Sequence, residues 1–138
     1  MKAQDILKLY REAHGKIDHI NQQLKDLEKI PQYIAAHEQA RLEHRLSLLV
    51  QLIGAVNATL ELLDEKERSI IELRCISQMK WVPIAMRLHY SQRQAQYIYT
   101  AALNKLNHEF ALNKELHNVY RELTGDKADK YNIHFRLL

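Results

Sequence analysis

Two apolar seams with the same rhythm constrain this chain more than any other feature of it. The first runs through Ile6, Tyr10, Ala13, Ile17, Ile20, Leu24 and Leu27, with spacings of 4, 3, 4, 3, 4 and 3. The second repeats those spacings through Leu42, Leu46, Leu49, Ile53, Val56, Leu60 and Leu63. Alternating steps of three and four keep one stripe of a helix apolar, so each seam predicts about six helical turns with a coiled-coil face. Lys8, Arg11, Glu12, Lys16, Asp18 and Lys25 occupy the other faces of the first segment, and Pro31 ends its pattern. Two seams of equal length joined by the short "KIPQYIAAH" connector fold most economically as an antiparallel hairpin over residues 1–62. Leu48, Val50 and Leu52 lie off the second seam, so this helix is apolar on more than one side and needs a further partner. Two partners are open to it, the C-terminal part of the same chain or a second protomer. The second protomer is the expectation, with Leu42, Leu46, Leu49, Ile53, Val56 and Leu60 at a homodimer contact.

Composition supports helices throughout. Only 3 Gly and 2 Pro punctuate 138 residues, and Leu, Ala, Gln, Glu, Lys and Arg are abundant, which predicts an all-α fold. The single cysteine, Cys75, excludes an internal disulfide and fits a reducing compartment; spaced helically from Leu73 and Ile76, it reads as a small core residue. The opening "MKAQDILKLYREAHGK" is charged from the start and lacks the apolar segment of a signal peptide. The most apolar run, "LSLLVQLIGAV", is interrupted by Ser47, Gln51 and Gly54 and is too short for a bilayer, so no membrane partner is expected. Catalysis has little to stand on. His14, His19, His37, His44, His89, His108, His117 and His134 include no pair at i,i+4, no second cysteine joins Cys75, and no glycine-rich phosphate loop occurs. Neither a metal, a cofactor nor an enzymatic activity is expected.

After the hairpin the pattern shortens. In "LDEKERSIIELRCI", Asp64 reads as an N-cap, with Glu65 and Glu67 in a first turn that the helix dipole favours. "SQMK" breaks this helix, and a short second one is expected from about Val82 to Leu88, with Pro83 in its first turn. "HYS" follows as a three-residue turn, and Ser91 caps a third helix that turns Ala95, Ile98, Ala102, Leu103 and Leu106 inward. A short helix, a tight turn and a longer capped helix have the outline of a helix-turn-helix, with the small Ala85 permitting close approach and Ile84, Leu88 and Ile98 filling the wedge. The outward residues of the third helix are then Gln92, Arg93, Gln94, Gln96 and Tyr97, side chains able to pair with adenine or guanine edges or to touch a thymine methyl.

Charge falls on the same segment. Residues 1–62 carry 8 basic and 8 acidic side chains, residues 63–106 carry 7 and 4, and residues 107–138 carry 5 and 5, so the whole excess of +3 lies in the middle. Between Leu73 and His108 stand Arg74, Lys80, Arg87, Arg93 and Lys105 with no acid among them, as a surface facing phosphates requires. Beyond Asn107, Phe110, Leu116, Tyr120 and Leu123 keep helical spacing until Thr124-Gly125-Asp126, and the terminal "KYNIHFRLL" alternates Tyr131, Ile133, Phe135 and Leu137 as a short strand or a docking arm would.

"LLDEKERSIIELRCI" followed by "KWVPIAMRLHYSQRQAQYIYTAALNKL" resembles region 4 of the sigma-70 superfamily, and more closely the sigma-4-like late transcription regulators of phages and prophages, the ArpU-like group. The residues that carry the resemblance are Glu67-Arg68, Ile70-Ile71 and Leu73-Arg74 in the first helix, Trp81, Ile84-Ala85 and Leu88 in the second, Ser91 at the cap, and Ala102-Leu103 with Leu106 in the third. Pro83, His89 and Gln94-Ala95 depart from the common pattern. The resemblance implies a DNA-binding domain at 63–106, preceded by the hairpin at 1–62 and followed by a C-terminal helix and tail at 107–138. It places Gln92, Arg93, Gln94, Gln96 and Tyr97 on base edges and Lys80, Arg87, Ser91 and Lys105 on phosphates. It also implies a sequence-specific transcription regulator, an activator of phage late genes that works as a dimer on double-stranded DNA in the nucleoid of a bacterial cytoplasm. Two other readings compete. One is a sigma-4-like module that docks on host RNA polymerase or another regulator through Asp64, Glu65, Glu67 and Glu72; the other is a small terminase-like packaging protein, which a ring-shaped oligomer would reveal.

Overall fold

The structure, a computed structural model, describes residues 2–125. Among the described residues it is all-α: α1 (Ala3–Leu27), α2 (Gln32–Leu60), α3 (Glu65–Ile71), α4 (Trp81–Leu88), α5 (Gln92–Leu112) and α6 (Lys114–Tyr120), with π-helical turns Glu72–Ile76 and Arg121–Gly125 extending α3 and α6. The alternating segment Tyr131 to Leu137 lies outside the described residues.

α1 and α2 pack along each other. Near the open end the Tyr10 hydroxyl donates to Asn57 Oδ1 at 2.6 Å, further along Ile20 shares a groove with Leu42, and at the closed end Leu24 and Leu27 border Gln32 and Gln39. Partners descend α2 as the chain ascends α1, which is the antiparallel register the equal seams predict. Most of the connector is itself helical. Pro31, at φ −54°, already has the backbone torsion a helix needs, so α2 starts at Gln32, ahead of the seam's first residue Leu42.

The second seam faces inward, and the dimer contact expected there is corrected on that ground. Leu42, Leu49, Val56 and Leu60 are 2%, 0%, 0% and 5% exposed within a single chain, and Leu46 and Ile53 pack against the same core. These six residues share one core with Ile6, Ala13 and Ile20 of α1, which leaves a second protomer only the partly buried edges of Leu46 and Ile53. The off-seam leucines have their partner in the same chain as well. Leu48 and Leu52, 7% and 0% exposed, join Phe110, Leu116, Val119 and Leu123 in one cluster, while Val50 alone of the three stays open at 55%. Half-buried side chains could have been completed by either route; the C-terminal helices complete them here.

The same packing redraws the expected boundaries at residues 62 and 106. α5 runs unbroken to Leu112, and its Ala102, Leu106 and Phe110 belong to the hairpin's core together with Leu63 and Ile71. A smaller cluster forms around Ile70, Ile84 and Ala95, with Leu73, Met79, Trp81, Leu88, Tyr90 and Ile98 packed against it. α5 therefore belongs to both clusters, its first turns to the small one and its later turns to the large one. Polar ties reinforce the junction: the Ala3 amide donates to Asn107 Oδ1 at 2.7 Å, and Arg11 donates to the Cys75 carbonyl at 3.0 Å. α5 stops where Asn113 turns extended, and the Asn113 side chain caps α6 by accepting from the Leu116 amide.

Candidate nucleic-acid interface

Local chemistry fixes each of the three helices that carry the expected site. α3 opens with a reciprocal capping box: the Glu67 amide donates to Asp64 Oδ1 at 2.8 Å, and the Asp64 amide donates to Glu67 Oε1 at 3.1 Å. The bond from the Glu67 backbone holds the Asp64 carboxyl below its ordinary range. Glu67 is only 5% exposed, and Lys105 reaches its Oε1 at 2.9 Å, a contact that raises the Lys105 ammonium's pKa.

α3 does not end as an α-helix. Its last turn widens to π geometry, with the Ser77 amide donating to the Glu72 carbonyl at 2.9 Å, and the chain reverses at Gln78, φ 58°. Arg74 secures this reversal from both sides. It donates to the Met79 carbonyl at 3.0 Å, and its guanidinium lies 4.7 Å from the centre of the Trp81 ring. The Trp81 edge in turn meets Tyr99 of α5, centroids 5.1 Å apart at 73°. Tyr99 extends the network to Gln4 of α1 at 3.3 Å and to the Cys75 sulfur at 3.7 Å, and burial pushes the Cys75 thiol's pKa up. Cys75 is thus partly buried and packed against the core, as its spacing predicts.

α4 buries Ile84, which joins the small core, and Ala85, and ends at His89, which sits in the left-handed region at φ 59°, ψ 41°. The Tyr90 amide closes back on the Ala85 carbonyl at 3.0 Å, a Schellman closure usually served by glycine. A three-residue turn, His89 to Ser91, then leads into α5, whose first turn is capped as expected: Ser91 Oγ accepts from the Gln94 amide at 3.0 Å.

On α5, Ala95 is fully buried while Gln92, Arg93, Gln94, Gln96 and Tyr97 are all exposed, Tyr97 at 76%. At about 100° per residue, Arg93, Tyr97 and Thr100 fall on the face opposite Ala95, Gln96 and Gln94 lie about 100° to either side of Ala95, and Gln92 lies about 60° from it. Lys80, at the start of α4, and Arg87, in its last turn, are exposed as well, although Arg87 also leans on the Met79 sulfur at 3.8 Å. Ser91 retains its hydroxyl hydrogen as a donor.

Lys105 does not belong to this group. It lies ~21 Å along α5 from Ser91 and about half a turn around from Gln96, and its ammonium is engaged by Glu67, so its expected phosphate role is corrected to an internal tie between α5 and α3. Arg74 is likewise held by Met79 and Trp81. The free cations of the acid-free stretch reduce to Lys80, Arg87 and Arg93. Of the acidic docking set only Glu67 is buried; Asp64, Glu65 and Glu72 are exposed, Asp64 with its carboxyl engaged in capping α3. Two exposed residues escaped the sequence reading. Val82 and Met86, 51% and 73% exposed, project from α4 because Ile84, Ala85 and Leu88 take the inward positions, a consequence already contained in that spacing.

Residues 6–108 match the model of the family described as "Protein of unknown function (DUF722)". The chain belongs to that family. The matched span begins in α1 and ends in α5, so the hairpin and the α3–α5 unit form one family module, with α6 beyond it. No curated protein and no solved structure matches the chain. Among the described residues no three His, Cys, Asp or Glu side chains gather as metal ligands would, and no helix is long and apolar enough to cross a membrane.

Proposed function

We propose that this protein is a sequence-specific DNA-binding transcription regulator, and that α5 enters the major groove with its first turns. The observation that carries the reading is the outer face of α5. Arg93, Gln96 and Tyr97 stand exposed at the N-terminal end of a helix whose opposite side is locked by Ala95 and Ile98, with Lys80 and Arg87 on the preceding helix and no acid between Leu73 and His108. Gln and Arg there have the donors and acceptors for purine edges, Tyr97 offers an aromatic face to a thymine methyl, and Lys80, Arg87 and Ser91 supply donors to phosphates. A rigid base makes such reading selective, since a helix free to rock would lose register with the base pairs.

The resemblance to sigma-4-like, ArpU-like regulators supports a role at phage or prophage promoters inside a bacterial cell, acting as an activator. Homodimerisation is part of the proposal, with half-sites about 34 Å apart in a two-fold arrangement, and its contact must use residues other than the α2 seam. The test is titration of defined duplexes at a stated salt concentration. Arg93→Ala and Gln96→Ala should each cost about 1–3 kcal/mol on the preferred site and little on unrelated DNA, whereas Lys80→Ala should weaken all duplexes alike. Equal losses on preferred and random DNA for all three variants would overturn the assignment of α5 as the reading helix.

A further inference from the structure

Where α2 ends, its small residues leave a groove against α5. Ala55, Ala58, Thr59 and Leu62 follow one another at helical spacing on α2 and the turn after it, and Lys105, His108, Glu109 and Leu112 do the same on α5. Cavities of about 320 and 560 Å³ lie between these stripes, and both are lined by Thr59, Leu62 and Glu109, which makes them one groove. Its floor is rich in methyl groups, since the Thr59 hydroxyl donates back to the Ala55 carbonyl at 2.8 Å. Leu62 and Leu112 stand at its edges, 65% and 66% exposed, the most exposed leucines among the described residues. Glu109, Lys114 and Glu115 add charges of both signs, and none of the three makes an ion pair among the described residues.

We propose that this groove takes a second copy of the same chain, related to the first by a two-fold axis. The inference deepens the proposed dimeric regulator and rests on that reading. A two-fold contact sets one patch against itself, so the patch must carry both halves of each complementarity. This one does. The leucines at its edges lie beside a floor of Ala55 and Ala58 that leaves room for a partner's leucine, and Lys114 stands on the same rim as the acids it would meet across the axis. The position also suits paired half-sites. Glu109 lies ~20 Å along α5 from Gln96, so an axis at the groove sets the two groups of reading turns up to ~40 Å apart, a span that includes the ~34 Å between half-sites. The groove takes in only ~12 Å of α2 and of α5, short of the ~800 Å² per partner of a standard interface. The free dimer is therefore weak and forms at high protein concentration.

The test is sedimentation of the full chain without DNA, from micromolar to millimolar concentration. A reversible monomer–dimer equilibrium is expected. Leu62→Glu and Leu112→Glu alter exposed side chains, so the fold persists, and each should weaken the dimer at least about tenfold. Ile34→Asp, at the other exposed apolar cluster beside Tyr33, should leave it unchanged. The charges have their own readout: Lys114→Glu makes the trio all acidic, and the Glu109→Lys, Glu115→Lys double variant makes it all basic. Each should be monomeric alone, and an equal mixture of the two should dimerise. A natural chain that stays monomeric throughout, a dimer indifferent to both leucine variants or broken by Ile34→Asp, or a mixture that stays monomeric overturns the proposal. DNA reading fails separately: the Arg93→Ala, Gln96→Ala double variant should dimerise as the natural chain does, and Leu62→Glu should bind a single half-site duplex as the natural chain does.

Discussion

Arg74 and Arg93 carry the same charge in the same acid-free stretch, and their surroundings give them different work. Arg74 is half-buried between the Met79 carbonyl and the Trp81 face, where it holds the chain reversal that starts α4. Arg93 is exposed at the start of α5 with nothing to hold. Spacing alone does not separate the two, because what captures Arg74 is a π-turn and a positive φ at Gln78, features that no residue type in "CISQMK" announces. Lys105 is misread for a similar reason: its partner Glu67 is 38 residues away in sequence. His89 takes the left-handed conformation that closes α4, at φ 59°, ψ 41°. A Cβ in that conformation costs roughly 1 kcal/mol, so His89→Gly should raise stability by up to about 1 kcal/mol. Urea unfolding checks this: the midpoint should rise with the slope unchanged, and a lower midpoint would mean that the His89 ring makes contacts that outweigh the strain.

At the scale of the element, α2 shows what periodicity contains and what it leaves open. Its seam sets the helix, the antiparallel pairing with α1 and the burial of Leu42 through Leu60. Whether Leu48 and Leu52 meet their own chain or another is not in the period, because both solutions bury the same two side chains. Phe110, Leu116, Val119 and Leu123 decide it, and three of those four lie beyond a helix break at Asn113 that the spacing does not mark. The burial has a direct consequence for mutation. Leu49 is 0% exposed in the single chain, so Leu49→Asp places a carboxylate in the core and should cost more than about 3 kcal/mol, unfolding the protein. Circular dichroism with sedimentation distinguishes the outcomes: lost helicity is expected, and a folded monomer derived from a natural dimer would restore the seam as a contact between copies.

Over the whole molecule, α5 joins the hairpin's core to the small core that aims its first turns, so the proposed reading surface and the scaffold should unfold together. The pH dependence of that transition follows from two groups at the α3–α5 junction. The folded-state pKa of Asp64 is lowered, so its contribution is present above the carboxylate's ordinary range and is lost as pH falls through the depressed value. The folded-state pKa of Lys105 is raised, so its contribution is present below the ordinary lysine range and disappears as pH rises through the elevated value. Melting temperatures should therefore be flat near neutrality and fall at both extremes, with Asp64→Ala flattening the acid side. An unchanged acid limb in that variant would remove the capping box from the account.

The most direct measurement of the central claim is selection of bound fragments from bacterial and phage genomic DNA with the purified protein at a fixed salt concentration. One recurring motif is expected, lost in the Arg93→Ala, Gln96→Ala double variant while weak, salt-sensitive binding persists. Fragments without a common motif, bound equally by the natural protein and the double variant, would contradict a reading role for α5.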